Sequence, residues 1–316
     1  MNKKIVYVTG CLGFIGYHVA ESCLKRGWYV RGIDSGTYAA NWNLLGELEK
    51  YDNFIFEHKD INELDRLYDC DYIINTAAES HVDNSISQSD IFLKSNINGV
   101  HRLLELIKQK AQGTKYQVPV LLHFSTDEVY GDIIEGSHCE TDLLKPSNPY
   151  SATKAAADHL VTSWGRTYGL PYIIVRPTNN YGIGQYVEKL IPKTVKYLSV
   201  GRKVDLHNNG EPVRTWLNAK DTASAIIAII QAGVINEIYN ISGNYETKNI
   251  VVVDKIASLL FPGTDKLPSD YVEHMVRIGQ DVRYSIDDSK LRALGWKPVA
   301  EFDTELVDIV KYYKEN

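Results

Sequence analysis

The chain is poor in cysteine, has no long apolar run and carries no block of basic residues, and each shortage closes off a class of protein. Its four cysteines, Cys11, Cys23, Cys70 and Cys139, form no CxxC or CxxH pair. Neither a disulfide framework nor a zinc site is therefore expected, and reduced thiols in a cytoplasmic setting are the simpler reading. No metal is expected elsewhere. No apolar run reaches the length of a membrane span. The apolar part of "MNKKIVYVTG" is too short for a secretory signal and runs straight into a motif. Against 40 acidic side chains stand 34 basic ones, a net charge of −6, which makes nucleic acid a poor partner. Any phosphate on a ligand must be held by a few local groups.

What remains is an ordinary globular composition, 44% hydrophobic and 23% charged, in a chain of 316 residues with room for a large core. Short β-branched runs alternate with amphipathic stretches through the first half. The runs at 4–10, 29–34, 54–61, 72–78, 120–126 and 172–178 read as strands. The stretches at 15–27 and 96–112 read as helices, with Val100, Leu103, Leu104 and Ile107 at helical spacing. Such alternation predicts an α/β fold, a Rossmann-like doubly wound parallel sheet with helices on both faces. The rhythm breaks near residue 178. Residues 1–178 are expected to form a dinucleotide-binding domain with the catalytic residues, and 179–316 a smaller C-terminal substrate-binding lobe, interleaved with the first.

"TGCLGFIG" follows the first strand and opens the first helix, placing Gly10, Gly13 and Gly16 where a pyrophosphate can approach backbone amides at a helix N-terminus. Asp34 ends the second strand, where a carboxylate accepts from ribose hydroxyls and repels a 2′-phosphate, so NAD is preferred over NADP. Asp60 and Ile61, ending the third strand, and Ala77 and Ala78, ending the fourth, share that carboxyl edge. In "NPYSATK", Tyr150 and Lys154 lie four apart on one helix face. A lysine cation about 4 Å from a phenolate contributes roughly 4 kcal/mol, enough to bring a phenol from about 10 toward neutrality. Between these motifs "HFSTDEVYG" ends a strand on Thr126, Asp127 and Glu128. Adjacent acids there dislike losing water, so the pair needs a reason.

The segments "TGCLGFIG", "AAESHVDNSI", "STDEVYGD", "NPYSATKAAAD", "NNYGIGQYVEKLIPK" and "RIGQDVRYSID" resemble the extended short-chain dehydrogenase/reductases. Within them the Thr-Asp-Glu triplet resembles the nucleotide-sugar 4,6-dehydratases. The resemblance implies that Tyr150 takes the C4-hydroxyl proton while NAD accepts hydride from C4 and later returns it to C6. Glu128 would remove the C5 proton, Asp127 would protonate the departing C6 hydroxyl, and Thr126 would bond near the C4 oxygen. It adds Phe14, Ile15, Ser95 and Asn180 to the cofactor contacts. Substrate contacts would come from Ser80, His81, Asn179, Glu188, Lys189, Leu190, Asn249 and Tyr284. Lys189 and Arg214 would meet the diphosphate, and Arg277 would help close the site. On the residues alone, His81 reads equally as a structural histidine. The family also implies a homodimer, pairing helices that begin near Asn96 and Tyr150.

The departures gather in the second half. "GIGQYVEK" stands for the family's "GPYQFPEK", Gln280 for a histidine, and Asp205, Leu206 and His207 for "PIY" beside the base. "VRTWLNAKD" lacks the aspartate before Trp216 and the tyrosine two places after it. A dTDP-hexose and a UDP-hexose both stay open as substrate. Two rivals stand beside the dehydratase: a UDP-sugar 4-epimerase or decarboxylase, which has no use for the acid pair, and a non-catalytic dinucleotide-binding regulator.

Overall fold

The computed structural model describes residues 3–113, 117–264, 268–276 and 281–316. Arg277 and Gln280 lie outside the described residues. The strands in chain order are β1 Ile5–Thr9, β2 Tyr29–Asp34, β3 Phe54–His58, β4 Tyr72–Asn75, β5 Val120–Phe124, β6 Tyr172–Pro177, β7 Asn179–Tyr181, β8 Val204–His207, β9 Val213–Asn218, β10 Glu237–Ile241, β11 Tyr245–Lys248 and β12 Val272–Met275. Seven of them form one sheet in the order β10-β6-β5-β4-β1-β2-β3, every neighbouring pair parallel. Parallel strands are covered on both faces and so read as continuous apolar runs; β5, "VLLHF", is buried throughout. Chain direction across the sheet reverses between β1 and β4. That is where a crevice opens beyond the strand ends. Thr9 pairs with Ile33 on one side and Asn75 on the other, which brings three strand ends level at that point.

The helices Gly99–Gln112 and Pro149–Tyr168 cover one face, burying Leu103, Ile107 and Val161 against Ile73 and Leu121. On the other face Phe14–Leu24 and Ala219–Ala232 bury Val19, Cys23, Ile226 and Ile230. The alternation along residues 1–178 accounts for six of the seven sheet strands. The seventh, β10, comes from "EIYNI" and lies beside β6, far along the chain from its neighbour. A second core gathers Tyr181, Ile191, Val195, Trp216, Val252, Ile256, Phe302 and Leu306 beneath the small sheets β11-β9-β7 and β12-β8.

Two expected elements differ in detail. The third strand stops at His58 because the Asp60 side chain accepts the N–H of Asn62 and starts a 3₁₀ turn, Ile61–Glu63. The helix expected from residue 96 is preceded by a π-helical segment, Leu93–Asn98. Such wide turns interrupt helices most often where a side chain is being placed. Here it is Asn96, fully buried. Its Oδ1 accepts the Glu79 N–H (2.9 Å), and its Nδ2 donates to the Glu79 carbonyl and to Thr153 Oγ1 (both 3.0 Å). One amide thus ties the loop after β4 to the helix that carries Tyr150. No described helix is long and apolar enough to cross a membrane.

Candidate active site

Three adjoining cavities follow the carboxyl edge of the sheet, and every described residue expected to contact cofactor or substrate or to act in catalysis lines at least one of them. The first, about 270 Å³, lies over Asp34, Asp60, Ile61, Ala77 and Ser95. The second, also about 270 Å³, holds Phe14, Ile15, Gly16, Tyr150, Lys154 and Asn180. Gly10, Gly13 and Ala78 belong to both, so the two form one trough across the β1–β4 reversal. Glycine is required at its floor. Gly10 sits at φ +71°, and a Cβ there would lie 2.8 Å from the Ala77 nitrogen; one on Gly16 would lie 2.0 Å from the Gly10 carbonyl oxygen.

Asp34 is 8% exposed. Its oxygens accept the N–H groups of Leu12 (2.9 Å) and Gly36 (2.8 Å), so the same carboxylate orders the glycine loop and borders the cavity. Burial raises its pKa against the pull of those two bonds. Desolvation also pushes Asp60 up, but Asn62 and the Lys94 ammonium (3.3 Å) outweigh it and hold the carboxylate low. A trough with a glycine floor, a helix N-terminus and an acid where the second strand ends fits an adenine dinucleotide without a 2′-phosphate.

At the β5 end the chain leaves the sheet and makes one 3₁₀ turn, Asp127–Tyr130. Thr126 caps it: its Oγ1 accepts the Glu128 N–H (3.3 Å) and donates to Asp127 Oδ1 (3.1 Å). The turn separates the two acids. Asp127 is 3% exposed, and its Oδ2 has no hydrogen-bond partner. Burial, and then the neighbouring Glu128 charge, lift its pKa to about 7. Glu128 instead accepts from Asn148 Nδ2 (3.3 Å) and lies 3.4 Å from the Tyr284 hydroxyl, whose proton is directed at Asp281 Oδ2. Asn148 was not singled out from sequence, although "NPYS" is a capping signature. It caps the Pro149–Tyr168 helix in a capping box with Ser151, so one residue fixes both Glu128 and the helix of Tyr150.

Tyr150 and Lys154 stand on that helix as their spacing requires, but their electrostatics differ from the expectation. The Lys154 ammonium donates to the Phe124 carbonyl. Burial lowers its pKa to about 8, with Asp158 pulling the other way. Burial and the Glu128 carboxylate push the Tyr150 phenol up. Two nearby acids and a dry pocket outweigh a lysine turned toward a strand carbonyl. Behind the lysine, Asp158 accepts from Arg176 Nε (3.0 Å) and Nη2 (2.9 Å) and from Ser125 Oγ (3.0 Å). Nothing local in the sequence pointed to that buried pair.

The third cavity, about 640 Å³, opens beside Glu128 and runs between the two cores past His81, Leu190, Arg214, Asn249 and Tyr284. Ser80, Asn179, Glu188 and Lys189 belong to it and to the trough, so they stand at the junction. The Lys189 ammonium donates to the Ser80 carbonyl (3.1 Å) and Oγ (3.3 Å). Arg214 is 7% exposed; its guanidinium lies 4.2 Å over the Tyr284 ring and donates to the carbonyls of Val213 and Asp281. Asn180 has its amide engaged by Thr222 and the Thr178 carbonyl, whereas the buried Asn179 Oδ1 has no partner. His81 and His207 point their Nε2 atoms at Asp83 from 4.0 and 3.6 Å. Burial, then Lys189, lowers the His81 pKa.

The GDP-mannose 4,6 dehydratase family model matches residues 7–309. A dTDP-glucose 4,6-dehydratase of Haemophilus influenzae is 40% identical over 98% of this chain and 98% of its own length. This chain belongs to the nucleotide-sugar 4,6-dehydratases. Among solved structures, the family's DesIV dTDP-glucose 4,6-dehydratase from Streptomyces venezuelae, with NAD bound, superposes at a TM-score of 0.90. It is 36% identical and is matched over 99% of this chain and 97% of its own. A dTDP-glucose 4,6-dehydratase from Bacillus anthracis in complex with NAD gives a TM-score of 0.86 at 34% identity, over 99% and 97% of the two chains. The seven-stranded parallel sheet is the family's fold.

Proposed function

We propose that this dehydratase converts dTDP-glucose to its 4-keto-6-deoxy product, holding NAD in the glycine-floored trough and the nucleotide sugar in the cavity between the two cores. The observation that carries the reading is the unequal treatment of two adjacent acids. Asp127 is buried, with one oxygen unpartnered and a pKa of about 7, so it is available as an acid at neutral pH. Glu128 accepts from Asn148, lies beside the Tyr284 hydroxyl and borders both cavities. Neighbouring carboxyls placed in different surroundings are how acid and base roles are divided.

Bound NAD would supply a reversible hydride acceptor, which oxidises C4 and reduces C6 without net consumption of cofactor. The protein's own part is proton handling. Tyr150 takes the C4-hydroxyl proton, for which the Lys154 cation and the positive charge of bound NAD would have to offset the burial and the Glu128 carboxylate that push its phenol up. Once C4 is a ketone, the C5 proton is acidic and Glu128 removes it. Asp127 protonates the C6 oxygen, which leaves as water. Asn148 aims the Glu128 carboxylate. Arg214 and Lys189 offer charge-assisted contacts to the diphosphate, and Asn179, Asn249, Ser80 and His81 line the path of the sugar. In this reading residues 1–178, completed by β10, make the cofactor half, and most of 179–316 the nucleotide half. Buried thiols at Cys11, Cys23 and Cys70 suit a cytoplasmic enzyme. Pairing into a homodimer through the Gly99–Gln112 and Pro149–Tyr168 helices belongs to the same proposal, with molar mass by light scattering as its test.

Purified protein is incubated with a panel of dTDP- and UDP-hexoses and the products weighed. Loss of one water from dTDP-glucose is the expected result, with UDP-glucose the informative second arm because Asp205, Leu206 and His207 line the far end of the cavity. A product of unchanged mass would make the chain an epimerase; no product from any sugar would leave it a binding protein.

A further inference from the structure

The far end of the nucleotide cavity holds an ion pair with no part in the proton chemistry. Resting on the reading of that cavity as the nucleotide-sugar site, the sugar lies at Glu128 and the diphosphate near Arg214 and Lys189, so the base is left with the other end. The helix Leu190–Ser199 shows the direction. Lys189, at its N-cap, borders both the trough and the cavity, whereas Lys193, Lys196 and Tyr197 border the cavity alone. At 1.5 Å per residue, positions 193 to 197 lie about 6 to 12 Å further along. Opposite them β8 turns Asp205 and His207 toward the cavity, alternate residues of a strand sharing one face.

There the Lys193 ammonium donates to Asp205 Oδ2 (3.2 Å) and stands 5.4 Å from the centre of the Tyr197 ring. An ammonium has three hydrogens and a carboxylate two oxygens. Two of those hydrogens and Asp205 Oδ1 therefore meet no hydrogen-bond partner among the described residues. Both side chains are partly buried, so a donor and an acceptor stand side by side within reach of a ligand. The resemblance leads one to expect proline at 205, so the pair is this chain's own. We infer that Lys193 and Asp205 read the edge of the pyrimidine. The ammonium donates to the C4 carbonyl, and Asp205 Oδ1 accepts the neighbouring N3–H. Thymine and uracil both present that carbonyl beside a ring N–H. Cytosine puts an amino group and a bare ring nitrogen in the same two places. The ammonium would then face N–H groups and the carboxylate a lone pair, leaving both charges unmet.

The test is calorimetric binding of dUDP and dCDP, which differ only at that edge, to the NAD-loaded protein. Wild type should bind dUDP about 5- to 150-fold more tightly, the worth of one well-paired base contact. The charge swap, Lys193→Glu with Asp205→Lys, keeps an ion pair between helix and strand but reverses the order of donor and acceptor. In the swapped protein dCDP should bind the more tightly. A pair that only braces the helix against β8 would survive the swap with the preference for dUDP unchanged. That result overturns the inference, as does wild type that binds the two equally. Should the swap fail to fold, Asp205→Asn decides, because its amide can turn to accept or to donate. A ratio that shrinks through weaker dUDP binding supports the inference; an equal loss for both ligands overturns it. Binding of neither ligand by wild type overturns the inference together with the reading it rests on. A preference for dUDP without water loss from dTDP-glucose would sink the dehydratase reading alone.

Discussion

The Asp127→Asn change should raise stability where it destroys catalysis, and by an amount that depends on pH. In the folded protein the carboxyl of Asp127 is lifted from 3.8 to about 7, burial coming first and the Glu128 charge second. Ionising it there costs about 4 kcal/mol more than in the unfolded chain, at 1.36 kcal/mol per pH unit. With the folded value above the unfolded one, the folded state binds more protons between pH 4 and 7. Stability is therefore complete below about pH 4 and declines through this group until pH passes 7. Asparagine has no proton to lose. The stability of Asp127→Asn relative to wild type should rise by about 4 kcal/mol between pH 4 and 8 and then level off. A buried amide without partners can cost about 1–3 kcal/mol, but that cost does not vary with pH, so the slope isolates the carboxyl. Guanidinium unfolding curves at half-unit pH intervals measure it. Adding Glu128→Gln should flatten part of the slope, since Glu128 is the second cause. In the same variant water loss should slow by about 10²–10⁴-fold, the worth of a positioned acid. A pH-independent stability difference, or unimpaired dehydration, would refute the assignment of Asp127 as a buried acid held near neutrality.

Wild-type dehydration should fall as pH rises through about 7, because Asp127 must carry its proton, and the falling limb should vanish from the residual rate of Asp127→Asn. Gly10→Ala places a Cβ 2.8 Å from the Ala77 nitrogen at φ +71°; NAD binding by calorimetry should be lost, with stability reduced by about 1–3 kcal/mol. Arg214→Met removes a buried fork from the nucleotide cavity and should raise KM about tenfold or more with a smaller change in kcat, the mark of lost uniform binding. Asn148→Ala strips the cap of the Pro149–Tyr168 helix and one donor to Glu128, so stability should drop by about 0.5–2 kcal/mol and the exchange of the C5 proton with deuterated solvent should slow.

Most of the sheet edge was legible because strand ends there coincide with chemistry. Thr9–Gly10, Asp34 and Thr126 each close an apolar run with a residue that the core would reject. The Tyr150–Lys154 pair was legible because helix geometry alone fixes its spacing. What Lys154 touches was not, since its partner is the Phe124 carbonyl, a group every residue possesses. Strand β10 escaped because "EIYNI" lies some sixty residues beyond β6, and five residues carry no address. The π-helical segment at Leu93–Asn98 escaped for another reason: the cause of the wide turn is Asn96 meeting Glu79 and Thr153, contacts that exist only after folding. Asn148 was within reach, because Asn-Pro-Tyr-Ser announces a capped helix. Its second task, donating to Glu128, needed coordinates.

Because the edge strand beside β6 is Glu237–Ile241, a ribosome must have threaded out three quarters of the polypeptide before the nucleotide-binding sheet can close. Fragments cut near residue 178 would present Tyr172–Pro177 as a naked, sticky rim. They should clump rather than bind dinucleotide, and a circularly permuted gene that brings 219–241 ahead of Met1 would be the more promising way to carve this enzyme in two.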